Sequence, residues 1–81
     1  MKWKNIENKY ASRIEELRNM TPHQLLEVGE NATKQEIRRA YRRKIKLYHP
    51  DNADEFMRDY CQEVTKLINI AYEELLKSIN E

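Results

Sequence analysis

Thr33-Lys34-Gln35-Glu36-Ile37-Arg38-Arg39-Ala40-Tyr41-Arg42-Arg43-Lys44-Ile45-Lys46-Leu47-Tyr48-His49-Pro50-Asp51 is the stretch whose reading decides the fold. It opens on a capping box, in which the Thr33 hydroxyl and the Glu36 carboxylate reciprocally satisfy the first free amides of a helix. Ile37, Ala40, Tyr41, Ile45 and Tyr48 then recur at helical spacing as one apolar stripe, along which Lys44 can lay its aliphatic stem. Arg38, Arg39, Arg42, Arg43 and Lys46 fall largely outside that stripe. Pro50 disfavours α conformation at His49, so the helix is expected over about 33–48, with His49 through Ala53 as a loop.

Downstream, a longer helix is expected over about 54–79, with Met57, Tyr60, Cys61, Val64, Leu67, Ile68, Ala71, Leu75 and Leu76 on its buried side. The short connection makes the two helices an antiparallel hairpin, in which Tyr48 is expected to meet Phe56 or Met57 and Tyr41 to lie near Val64. Upstream, Thr21 suits an N-cap and Pro22 the first helical position. They predict a short helix over about 22–28, carrying Leu25, Leu26 and Val28, with Gly29 as its left-handed stop. So short a helix must pack on something. Trp3, Ile6, Tyr10, Ile14 and Leu17 predict an amphipathic helix over about 3–19, expected to pack within the molecule.

One Gly and two Pro in 81 residues leave few breaks, and the fold class is all-α. Apolar residues make up 40% and charged residues 36% of the chain, with a mean hydropathy of −1.00. A chain this short holds one small core, which excludes a multidomain enzyme and means that its chemistry is simple or borrowed from a partner. The lone Cys61 can form no intrachain disulfide and reads as a core residue. No apolar run approaches the roughly 20 residues of a membrane span, and Met1-Lys2-Trp3-Lys4 does not open a signal peptide. The expectation is a soluble monomer with the cytosol as its default compartment, and no cofactor, metal or small-molecule substrate.

The formal net charge of +1 conceals an uneven distribution. Residues 34–50 carry seven bases against Glu36 alone, whereas residues 51–81 carry eight acids against three bases. Like charges at i,i+3 and i,i+4 spacing destabilise the basic helix by about 1–2 kcal/mol together, so something should compensate them. Asp59 and Glu63 on the neighbouring helix, or water, could screen the cluster. The alternatives are a phosphate-binding face or a docking face for an acidic protein, and charge alone does not separate them.

The loop residues do separate them. His49-Pro50-Asp51 lies where the basic helix ends, preceded by Tyr48 and by Ala40-Tyr41. With Leu25-Leu26-Glu27-Val28, Ala32, Glu36-Ile37-Arg38-Arg39, Ile68, Ala71-Tyr72 and Leu75, this pattern resembles the J domain of the DnaJ family of co-chaperones, from Thr21 to about Leu76. The resemblance implies a non-enzymatic partner of a DnaK-type heat-shock ATPase, whose ATP hydrolysis it stimulates. It implies a docking face of Arg38, Tyr41, Arg42 and Arg43, with Arg39 and Lys46 as additions, and a trigger of His49, Pro50 and Asp51. It also divides the chain into an N-terminal helical extension over 1–20 and a J domain over 21–81, without the family's usual fourth helix.

Physical roles fit that assignment. Pro50 stiffens the loop and lowers the ordering cost of binding, Asp51 offers a carboxylate to a partner Arg, and His49 can donate and accept at once. The blander reading is a stiffened turn in which His49 caps one helix and Asp51 the next. The alternative functions are a nucleic-acid-binding module using the Arg residues on phosphates, which is not expected because no base-reading pattern accompanies them, and a J-like scaffold for assembly. Several positions depart from the family. Glu27 stands in place of the usual Gly, Lys44 of Leu, Thr65 of Phe, Asn52 of a basic residue and His23 of Tyr. The first three put local packing in question, and His23 reads as packed or half-buried.

Overall fold

The computed structural model describes residues 8–79. Its order is α1 (Asn8–Arg18), α2 (Pro22–Leu26), α3 (Lys34–Tyr48), two 3-10 turns (Pro50–Asn52 and Glu55–Met57) and α4 (Arg58–Ile79), with no strand among the described residues. Trp3 and Ile6 of the expected first helix lie outside the described residues, as do the side chains of Tyr10 and Asn52.

Both expected starts are present. Thr33 is the N-cap of α3: its hydroxyl accepts from the Glu36 amide at 3.1 Å, and its amide donates to Glu36 Oε1 at 2.8 Å. Thr21 caps α2 in the same way, with Gln24 as its reciprocal partner at 3.2 and 3.0 Å, a second box that the Thr-Pro signal alone did not reveal.

The stop of α2 differs from expectation. It is not Gly29 but Glu27 that takes the left-handed conformation, at φ 58° and ψ 47°. The Val28 amide donates to the His23 carbonyl at 3.0 Å and the Glu27 amide to that of Gln24 at 3.1 Å, the paired bonds of a Schellman motif. These bonds satisfy the last carbonyls of α2 and turn Val28, immediately before Gly29, back toward the core.

The hairpin forms, but its turn is longer than expected. Asp54 provides no side-chain cap, and Glu55–Met57 winds as a 3-10 turn closed by the Met57 amide on the Asp54 carbonyl at 2.9 Å, so regular α4 begins at Arg58. Nine residues, His49 through Met57, therefore separate the two long helices. The extra length shifts their register. Tyr41, expected near Val64, stacks on Tyr72 with ring centroids 4.1 Å apart; Tyr48 meets Tyr60 edge-on at 6.4 Å. Of the pairings expected for Tyr48, Met57 lines the same groove, whereas Phe56 is largely exposed.

Ile14, Leu26, Ile37, Val64 and Ile68 form the fully buried centre, one or more from each helix. Each such side chain contributes about 1.5–3 kcal/mol by leaving water. Ile14 is 0% exposed, and α1 lies on α4 with Leu17 also buried, so the first helix packs within the molecule. Cys61 is a free, buried thiol whose pKa burial pushes up, which fits core packing and not reactivity.

Candidate functional site

Helix α3 is the scaffold of the site. Its apolar stripe turns Ile37 and Ala40 into the core, with Tyr41, Lys44, Ile45 and Tyr48 half-buried beside them. The opposite side therefore faces solvent, and Arg38, Arg39, Arg42, Arg43 and Lys46 are all exposed on it. The i,i+4 spacing sets them in two ridges, Arg38-Arg42-Lys46 and Arg39-Arg43. None of Arg38, Arg39, Arg42 and Arg43 forms a salt bridge with another described residue. Glu63, considered as their screen, pairs instead with Arg18 at 3.9 Å and Lys66 at 3.3 Å. Tyr41 sits at the edge of the face: its ring lies on Tyr72 and its hydroxyl donates to Asn69 Oδ1 at 2.6 Å.

The loop after α3 is held from below and open above. The Thr65 hydroxyl of α4 donates to the Tyr48 carbonyl at 3.1 Å, occupying an acceptor that the end of α3 leaves free. Pro50 begins the 3-10 turn, which the Ala53 amide closes on the Pro50 carbonyl at 3.1 Å. Inside it, His49 Nδ1 accepts from the Asp51 amide at 3.2 Å. With Nδ1 accepting, Nε2 is the ring nitrogen left to donate. The His49 side chain is 47% exposed and that of Asp51 89%, with Nδ1 and Oδ2 3.7 Å apart. His49 thus caps the 3-10 turn. No cap on α4 is made by the exposed Asp51 carboxylate, which departs from the stiffened-turn reading. The arrangement presents a hydrogen-bond donor and a carboxylate side by side on a rigid turn, one helical turn from a field of cations.

These features, the basic face, the rigid loop and the pairing of α3 with α4, are those of the resemblance drawn from the residues, and comparison with known proteins decides it. The family model for the DnaJ domain matches residues 21–80. The chain belongs to the DnaJ family. Similar curated proteins include chaperone protein dnaJ 39 of Arabidopsis thaliana, 43% identical over 70 residues, which are 85% of this chain. Co-chaperone protein DjlA of Legionella pneumophila is 43% identical over 67% of the chain, and chaperone protein DnaJ of Caldicellulosiruptor saccharolyticus 49% identical over 65%. The chain spans 16%, 18% and 13% of those three proteins respectively. No solved structure matches significantly.

As a J domain, a member of a non-enzymatic co-chaperone family, the chain accommodates its departures from the family pattern in pairs. Glu27 adopts the left-handed conformation for which Gly is suited, and its carboxylate forms a salt bridge with Lys44, the second departure. The Lys44 ammonium holds the Glu27 carboxyl below the usual glutamate range. Thr65 supplies the hydroxyl that ties the root of the loop to α4. His23 is half-buried on α2, as expected. Neither pair was visible as a pattern, because each links residues 17 apart in sequence on different helices or their ends.

Proposed function

We propose that this J domain binds a DnaK-type heat-shock ATPase and stimulates its ATP hydrolysis. Residues 21–81 carry that function and residues 1–20 are an extension. Arg38, Arg39, Arg42, Arg43 and Lys46, with Tyr41 at their edge, dock on an acidic surface of the ATPase; His49, Pro50 and Asp51 engage it as the trigger. The observation that carries the reading is the pairing of a solvent-facing carboxylate and imidazole on one stiff turn with four exposed arginines that form no salt bridge with another described residue.

The physics divides the work between the two parts. Four exposed cations raise the encounter rate with an acidic surface, an effect that salt screens over a Debye length of about 8 Å at physiological ionic strength. The loop adds short-range geometry: the His49 ring, held by the Asp51 amide, and an Asp51 carboxylate suited to a partner guanidinium lose little conformational freedom on binding. The carbonyl at the end of α3 is held by Thr65, so force on the loop is transmitted to the hairpin and not absorbed by fraying.

The test is single-turnover ATP hydrolysis by a bacterial DnaK at low salt. Wild type is expected to accelerate it, and His49→Gln and Asp51→Asn to leave it at the basal rate while remaining folded. Acceleration should fall as salt rises, and fall further in Arg42→Ala. Equal acceleration by the folded loop variants would falsify the reading.

A further inference from the structure

Leu47 is the most exposed large apolar residue among those described, at 66%, and it lies one helical turn beyond Arg43 on the same ridge of α3. It walls a groove of about 330 Å³ completed by Tyr48, Ala53, Met57, Tyr60 and Cys61, with the exposed Asp54 as its one charged lining residue. Cys61 and Tyr60 are the buried floor, and Tyr48 and Met57 are half-buried sides. The two walls come from the residues that immediately flank the loop: Leu47 and Tyr48 before it, Ala53 after it. The groove thus adjoins the loop in sequence on both sides of His49, Pro50 and Asp51.

We infer that the groove takes an apolar side chain of the ATPase, presented beside the acidic surface that meets Arg39 and Arg43. The inference rests on the proposed docking of the loop and deepens it, assigning Leu47 as an apolar contact at the foot of the Arg39-Arg43 ridge. Three observations point to this occupant. The groove is continuous with the loop on both sides. Leu47 continues the Arg39-Arg43 ridge at i,i+4 spacing, so a surface that follows the cations reaches it one turn later. Its exposure on an otherwise charged face removes it from the core of this chain, whose stripe is already complete with Ile37, Ala40, Tyr41, Ile45 and Tyr48. A partner that presents acids and then an apolar group matches this order along the helix, and a polyanion of uniform charge does not.

The apolar contact and the cations are separable in experiment, because removing apolar area weakens binding at any salt whereas removing a cation weakens it chiefly at low salt. The test titrates each variant into single-turnover ATP hydrolysis by a bacterial DnaK, at two salt concentrations. Leu47→Ala and Leu47→Gln are expected to raise the concentration for half-maximal stimulation by about fivefold at both, as truncating an interface anchor does, and to leave the maximum unchanged. Ile70→Ala, which removes another exposed apolar residue distant from the groove, should titrate as wild type. Circular dichroism and melting of the Leu47 variants should match wild type, since the residue is outside the core. If His49→Gln abolishes stimulation while both Leu47 variants titrate as wild type, the groove assignment is overturned and the docking reading stands. If wild type gives no stimulation at all, both fall. Self-association of wild type in sedimentation, lost in Leu47→Gln, would assign the groove to a second copy and overturn the inference.

Discussion

The two ends of α3 are built on opposite terms. At its N-terminus the polar groups are spent on each other: Thr33 and Glu36 exchange hydrogen bonds at 3.1 and 2.8 Å, and the Thr33 amide holds the Glu36 carboxyl below its usual range. At its C-terminus the backbone is satisfied by Thr65, by the 3-10 turn and by His49 Nδ1, and the Asp51 carboxylate and much of the His49 ring are left to solvent. Closing a helix end with its own side chains stabilises it, whereas supporting the end from below frees side chains to act. The same helix therefore carries a stability device at one end and a recognition device at the other. They should respond to mutation along different axes.

The largest effect expected on either axis is at the loop. Asp51→Asn removes one charge from a carboxylate 89% exposed, whose amide keeps its bond to His49. Stimulation of a DnaK should drop to the basal rate, while the midpoint of thermal unfolding moves by less than the ~4 °C that about 1 kcal/mol gives in a domain of this size. The converse is Thr33→Ala, which leaves the N-terminal amides of α3 uncapped. It should cost about 1 kcal/mol and lower the midpoint by roughly 4–8 °C, with stimulation per folded molecule unchanged. A loop variant that unfolds the domain, or a cap variant that abolishes stimulation while folded, would remove the division between the two ends.

This contrast also marks what could be read in the sequence. The capping box, the apolar stripe and the position of the helix end at Tyr48 follow from rules that act within three or four residues, and they hold in the structure. The basic face followed from the same stripe, since whatever does not face the core faces water. The errors came where a choice depended on distant residues. Gly29 is the obvious left-handed residue by composition, yet the stop is set by the geometry of α2 and eased by Lys44 on α3. The hairpin register depended on how Glu55–Met57 winds, which no cap residue announces. The role of Thr65 needed the register to be known first. Sequence thus singled out the loop residues through the family resemblance, and the helix beneath them, but not the Thr65 bond by which that helix holds the loop.

Thr65 lies between the two categories, and a smaller effect tests it. Thr65→Val keeps the shape and leaves the Tyr48 carbonyl without its side-chain donor, at a cost of about 0.5–1.5 kcal/mol read as a lower unfolding midpoint. If support from α4 is what fixes the loop, this variant should also raise the concentration needed for half-maximal stimulation, without abolishing the maximum. Loss of stability alone would leave the bond as an ordinary cap. No effect on either would show that the 3-10 turn holds the loop unaided.

The smallest expected effect is at Glu27, where two terms oppose. Glu27→Gly relieves a left-handed residue of about 1 kcal/mol, but it takes the carboxylate partner from Lys44, whose side chain is only 18% exposed. At neutral pH the unfolding midpoint should therefore move by less than the capping variant moves it. Acid resolves the two terms. A carboxyl whose folded pKa is depressed stabilises the fold fully above its unfolded value and loses that contribution as the pH falls through the folded one. With Glu27 held by Lys44 below the ordinary 4.5, wild type should lose stability across that window, whereas Glu27→Gly should lose less, Glu36 remaining as the depressed carboxyl among the described residues. Parallel acid limbs in urea unfolding of the two proteins would show that the ion pair adds nothing, and that strain alone distinguishes Glu27 from glycine at this junction.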